Sequence, residues 1–166
     1  MSKPAAASKK NTRRKNLATN RKARHDYAIE ETFEAGIALM GSEVKPIREG
    51  RVNLKDGFAR IKNGELILSN VHISPYVQAS VFNHEPLRER KLLMHKGEIR
   101  RLEGKTAEKG YTIVPLAIYS NERNKLKVEL GLARGKLLHD KRHDIAEREA
   151  KREMERVHKY GGRVPD

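Results

Sequence analysis

In Tyr27-Ala28-Ile29-Glu30-Glu31-Thr32-Phe33-Glu34-Ala35-Gly36-Ile37-Ala38-Leu39, apolar side chains recur at every second position. Tyr27, Ile29, Phe33, Ala35, Ile37 and Leu39 share one face, with Glu31 the only break, and Glu30, Thr32 and Glu34 share the other. A period of two is the signature of a strand with one face buried. Gly41 ends the run, and Ser42 is placed to cap a short helix that turns Val44 and Ile47 inward. Pro46 falls in the first turns of that helix, where a missing N–H costs least.

The same period returns downstream. Phe58 to Ile61 and Leu66 to Ile73 are short apolar runs, and Asn63-Gly64 between them predicts a tight hairpin turn. Ser74 to Pro86 has two prolines and no period, which reads as a loop. Leu92, Leu93, Ile99 and Leu102 have helical spacing. Thr112 to Tyr119 reads as a strand whose Pro115 implies an edge or a bulge. Leu126, Val128, Leu130 and Leu132 then alternate with Lys127, Glu129, Gly131 and Ala133 as another half-buried strand. About five strands interrupted by two helices, within about 110 residues, predict a mainly β chain. The expected architecture is a small antiparallel OB-like β-barrel with a few flanking helices.

The 166 residues carry 36 Lys and Arg against 22 Asp and Glu, a formal net charge of +14. Residues 1–24 hold nine basic side chains and no acidic one, residues 25–135 are net +3, and residues 136–166 are net +2. The expected organisation is therefore a basic arm over 1–20, disordered when free, a barrel over 21–135, and a mixed-charge tail over 136–166. The arm reads either as a phosphate-seeking segment or as a solubilising tail. In the tail, Asp144 to Lys159 is rich in helix formers, and Asp144/Arg148, Glu147/Lys151 and Glu155/Lys159 are i,i+4 pairs in the favourable order. Ala146, Ala150, Met154 and Val157 make only a narrow apolar stripe. Such a tail either folds on a partner surface or packs loosely on its own domain.

Several function classes fall away. No Cys is present, which excludes disulfides, thiolate metal sites and cysteine nucleophiles. No run approaches the roughly 18 apolar residues of a membrane span, and the first 24 residues have no apolar signal core, so the cytoplasm is expected. Phosphate-loop, dinucleotide and hydrolase motifs are absent, and no carboxylate pair stands apart from basic neighbours, so an enzyme is not expected. His139 and His143 are four apart, but with no third ligand evident, no metal or cofactor is expected. A strong positive charge points to nucleic acid. Candidate phosphate contacts are Arg21, Lys22, Arg24, Arg90 and Lys91, and candidate stacking rings are His25, Tyr27, Tyr76, His84 and His95. A general ribosome-associated or RNA-binding OB protein satisfies these features.

The order of several blocks narrows this further. Asn20-Arg21-Lys22-Ala23-Arg24-His25-Asp26-Tyr27, Ile29-Glu30-Glu31, Glu34-Ala35-Gly36-Ile37 and Gly41-Ser42-Glu43-Val44-Lys45 are followed by Asn83-His84-Glu85-Pro86 and Arg88-Glu89-Arg90-Lys91-Leu92-Leu93. Val114-Pro115-Leu116, Gly135-Lys136 and Asp140-Lys141-Arg142 complete the series. From about Asn20 to about Arg156 the chain resembles the SsrA-binding protein family, also called small protein B.

The resemblance implies a bacterial, cytoplasmic, non-enzymatic protein with an OB-like barrel. Family members bind transfer-messenger RNA (tmRNA, the SsrA RNA) near the elbow of its tRNA-like domain. They deliver it to ribosomes stalled on messages without a stop codon, the rescue process called trans-translation. The family's C-terminal tail becomes helical in the empty mRNA channel of the small subunit, and tmRNA itself engages elongation factor Tu and alanyl-tRNA synthetase. By matched motif, Glu34 is an RNA-binding glutamate, Leu93 an apolar RNA contact, and His95 stands where some members have Asn. Read without the family, Leu93 belongs to a core. Lys136 retains the first position of a family Lys–Lys pair whose second is Leu137 here, and Asp140, Lys141 and Arg142 match the motif that engages the decoding region.

Overall fold

The computed structural model describes residues 14–136 and 138–160, with residues 80, 138–140 and 160 as backbone alone. In chain order the elements are β1 (Lys15–Thr19), α1 (Arg21–Asp26), β2 (Tyr27–Ile37), α2 (Gly41–Arg48), β3 (Val52–Asn53), β4 (Phe58–Lys62), β5 (Glu65–Ser69) and β6 (His72–Ile73). A 3-10 helix (Val77–Phe82), β7 (Arg90–Leu93), α3 (Lys96–Thr106), β8 (Tyr111–Ser120), β9 (Leu126–Gly135) and α4 (Leu138–Tyr160) follow. Strands β8, β4, β5, β7, β2 and β9 pair in that order, all antiparallel, and β9 pairs back on β8 to close the ring. Closure removes the exposed edges that make small sheets prone to association. The mainly β barrel with flanking helices agrees with the sequence reading.

Two bulges let this barrel serve two cores. The register slips between Ile29 and Glu31 in the β2–β9 ladder and between Pro115 and Ala117 in the β8–β9 ladder. Each extra residue reverses the side-chain alternation. One cluster fills the barrel: Phe33, Ala35, Ile113, Ile118, Val128, Leu130 and Leu132 pack there with Leu66, Leu68 and Leu92, and Ile113 and Ile118, on either side of the β8 slip, both point in because the slip changes the alternation. Ile29, Val114 and Leu116 instead point out of the barrel and meet Ala23 of α1 and Ala133 in a smaller cluster. Gly131 permits that second cluster to close: a Cβ there would sit 3.1 Å from both Ile29 Cγ2 and Leu116 Cδ1. Pro115 therefore sits at a bulge, one of its two expected settings. The Asn63-Gly64 turn is also as expected, with φ of 53° and 74° at its two left-handed positions.

Five expectations are corrected. The basic arm does not extend to Asn20, because Lys15–Thr19 is strand β1, paired along β8 with Lys15 opposite Ser120 and Thr19 opposite Ala117. Its strand character comes from β8, about a hundred residues away, and is invisible to local patterning; residues 1–13 lie outside the described residues. Ser42 is not the cap of α2. Met40 is, and its N–H is held by the Glu43 carboxylate at 2.8 Å. Leu92 and Leu93 belong to β7 rather than to a helix, and α3 starts at Lys96. The loop over Ser74 to Pro86 contains a short 3-10 helix of six residues, Val77–Phe82. Helix α4 begins at Leu138, earlier than the expected Asp144. No described helix is long and apolar enough to cross a membrane.

Candidate nucleic-acid interface

Buried Asn20 is the anchor of the first basic patch. Its side chain accepts from the Ala23 N–H at 3.0 Å and donates to the carbonyls of Leu54 and Pro115, both at 2.9 Å. One amide thus caps α1 and fastens it to two distant loops. With Ala23 turned into the second core, Arg21, Lys22 and Arg24 are exposed and His25 is half-buried. Lys22 contacts Asp56 at 2.8 Å and holds its carboxyl below the usual range. His25 Nδ1 lies 2.8 Å from Asp26, and this contact, aided by Lys141 at 3.8 Å, lowers the Asp26 carboxyl. Lys136 reaches the Arg24 carbonyl at 3.4 Å and also pairs with Asp144 of α4. Lys22, Arg24, His25, Lys136 and Lys141 are therefore neighbours across the α1–α4 junction, with Arg21 exposed at the start of α1.

A second surface is the outer face of β2, β7 and β9. Glu34 and Gly36 of β2, Lys91 and Leu93 of β7, and Glu129 of β9 all point outward. Leu93 is 54% exposed, so the core reading of this residue is corrected. It lies across Gly36, where a Cβ would come within 3.2 Å of Leu93 Cβ. Lys91 pairs with Glu65 at 2.6 Å, and exposed His95 precedes α3 as its cap residue. The Tyr119 hydroxyl donates to Glu34. Opposite Glu34 in the ladder, Glu129 is held by Arg14 through two contacts of 3.3 Å, with Arg24 at 3.8 Å. The Arg14 guanidinium lies 4.7 Å from the centre of the Tyr119 ring.

Arg90 is not on this surface, which corrects its place among the phosphate contacts. Strand alternation that turns Lys91 and Leu93 out turns Arg90 and Leu92 in, and Arg90 is fully buried. Its guanidinium donates to Glu43 at 2.7 Å and to the carbonyls of Val71, Arg88 and Pro86 at 2.8, 3.0 and 3.1 Å. Arg88 adds two contacts to Glu43 at 3.0 and 2.7 Å. Burial alone would raise the Glu43 carboxyl, but the Arg88 pair, the Met40 N–H and Arg90 outweigh it and hold the carboxyl low. His84 is likewise buried: Nε2 donates to the Ile73 carbonyl and Nδ1 shares a hydrogen bond with the Ser42 hydroxyl, each at 2.9 Å, so its ring has no face for a base.

Around α3, Lys96 and Arg100 are exposed, while Arg101 and Lys105 both pair with Glu31. These pairs explain the one acid on the apolar face of β2: it meets cations from the helix packed above it. In α4, Arg142 is exposed, and the side chains of His139 and Asp140 lie outside the described residues. His143, Asp144 and Glu147 bring one ligand atom each within 4.8 Å, but Asp144 is already paired with Lys136. Sequence reasoning missed Arg14, Tyr119, Glu129 and the Glu43 cluster. Alternation shows which residues of one strand share a face, but the neighbours on adjacent strands depend on pairing.

The model of the family described as SmpB protein matches residues 17–160. An SsrA-binding protein of Symbiobacterium thermophilum is 67% identical over 141 residues, covering 85% of this chain and 89% of that one. One from Moorella thermoacetica is 62% identical over 141 residues, covering 85% and 91%. A chain from a solved structure described as "tmRNA-SmpB: a journey to the center of the bacterial ribosome" is 58% identical, with a TM-score of 0.62, covering 72% of this chain and 84% of that one.

Proposed function

The chain belongs to the SmpB protein family, and from that premise we propose that it binds the tRNA-like domain of tmRNA and delivers it to stalled ribosomes for trans-translation. The observation that carries the reading is the outer barrel face, where Glu34 and Leu93 are exposed together beside the cationic α1. A carboxylate repels phosphate, so Glu34 contributes nothing to general polyanion binding. It accepts instead from the Watson–Crick edge of an unpaired guanine, which offers two donors. Leu93 presents an apolar surface to a base or ribose, and the rings of His25 and His95 lie at the margins for stacking or hydrogen bonding. Arg21, Lys22, Arg24, Lys91 and Lys136 take phosphates and set orientation. Arg90 acts from beneath by holding β7 in place.

The tail acts after delivery. Helix α4, with Asp140, Lys141 and Arg142 at its root, enters the decoding region and the empty mRNA channel. Its side chains from Ile145 to Lys159 are exposed along the helix, which leaves them available to a partner surface. Elongation factor Tu and alanyl-tRNA synthetase are reached through the RNA. The protein works in the cytoplasm, as a binder and not as an enzyme, and requires no cofactor.

The test is a titration against the isolated tRNA-like domain of tmRNA at several salt concentrations, with total tRNA as competitor. Tight binding that survives excess tRNA, with a salt slope of only a few phosphates, is expected of a shaped site. Binding that total tRNA displaces equally, with a steep slope, overturns the reading in favour of a general RNA binder.

A further inference from the structure

Glu34 and Glu129 face each other in the β2–β9 ladder, where like charges disfavour pairing. The structure resolves the conflict unequally. Glu129 takes Arg14 on both oxygens and has Arg24 nearby. Glu34 takes only the Tyr119 hydroxyl, which occupies Oε2, and among the described residues Oε1 has no hydrogen-bond partner. Tyr119 is itself 4% exposed and covered by Arg14, so its ring has little freedom to move. Strand β1 brings Arg14 to this place through its pairing with β8, in which Asn16 lies opposite Tyr119.

We propose that Tyr119 is a positioning residue for RNA recognition: its hydroxyl fixes the rotamer of Glu34 and leaves one carboxylate oxygen free for the amino edge of a base, while Arg14 and Glu129 brace the Tyr119 ring. This rests on the tmRNA reading. A free glutamate on a strand loses rotamer entropy when it binds, and a preorganised one has already lost it. A neutral donor suits the task because a cation at the same place would compete with the base for the carboxylate. Burial, together with the Glu34 carboxylate beside it, pushes the Tyr119 hydroxyl well above its ordinary value, so it stays protonated and remains a donor.

A double-mutant cycle tests this on the full chain. Wild type, Tyr119→Phe, Glu34→Ala and the double variant are titrated with the isolated tRNA-like domain of tmRNA, with total tRNA as competitor. Tyr119→Phe keeps the buried ring and removes only the donor. It is expected to weaken binding about five- to tenfold, Glu34→Ala to weaken it more, and the double variant to bind no more weakly than Glu34→Ala alone. Selectivity over total tRNA falls with the same pattern. A Tyr119→Phe variant that binds like wild type overturns the proposal, and so does a double variant that loses a further five- to tenfold, since Tyr119 then acts independently of Glu34. A Glu34→Ala variant that binds normally overturns it as well. A wild type displaced equally by total tRNA overturns the tmRNA reading itself, and this inference with it.

Discussion

Strand β7 and helix α4 are both rich in charge, and their charges have opposite fates. In β7, neighbouring Arg90 and Lys91 are separated by the pleat: one is fully buried against Glu43 and the other lies on the outer face beside Leu93. In α4, charges of both signs stay exposed, and among the described residues its ion pairs to the body come at its start, through Asp144 and Lys141. The barrel uses charge to lock strands and to build a defined surface. The helix keeps its charge in water, where another molecule can meet it. The same residue types therefore carry stability in one region and availability in the other.

Removing the chain from Asp140 onward is the most severe test of that division. It is expected to abolish tagging by trans-translation while changing affinity for tmRNA by no more than a few-fold. A truncated protein that no longer binds the RNA breaks the comparison. Next in size, Glu43→Ala should destabilise the barrel by about 3–5 kcal/mol, because it leaves Arg90 charged and unpaired in the interior. Thermal unfolding reads this directly, and a melting temperature close to wild type would mean the cluster is dispensable.

Acid sharpens the same point. The Glu43 carboxyl is held below its unfolded value, so its contribution to stability is complete above about pH 4.3 and fades as pH falls through the lower folded value. The melting temperature of wild type should drop in that range more steeply than that of Glu43→Gln, measured from neutral pH to pH 3. Gly131→Ala should cost about 1–3 kcal/mol by forcing Ile29 and Leu116 apart, seen as a lower denaturation midpoint. The smallest effect is expected at the surface. Lys91→Ala should leave stability unchanged and lower the salt slope of tmRNA binding by about one phosphate. A change in slope well above one would mean that Lys91 organises other contacts.

Much of the barrel was legible. The alternation of Phe33, Ala35 and Ile37, and of Val128, Leu130 and Leu132, named the inward faces of β2 and β9 correctly, because side-chain direction in a strand follows from local geometry. Asn63-Gly64 marked its hairpin for an equally local reason, the tolerance of both residues for positive φ. The basic run Arg21 to Arg24 is visible in the sequence as well, but its folding into a helix capped by Asn20 is not, because that cap is fixed by the distant carbonyls of Leu54 and Pro115. Arg90 was not separable from Lys91 by charge, since only the neighbouring elements supply Glu43 and the carbonyls that make its burial tolerable.

By itself, the sequence determined the period-two strands, the tight turn, the concentration of positive charge toward the N-terminus and the ordered blocks that mark the family. All of these depend on residue identity and short-range geometry. Tertiary structure alone decided that Lys15–Thr19 is a strand, that two bulges divide the apolar residues between two cores, and that Tyr119 and Arg14 stand beside Glu34 and Glu129. Each of these depends on hydrogen bonds and contacts between residues far apart in sequence, and so exists only once the barrel has closed.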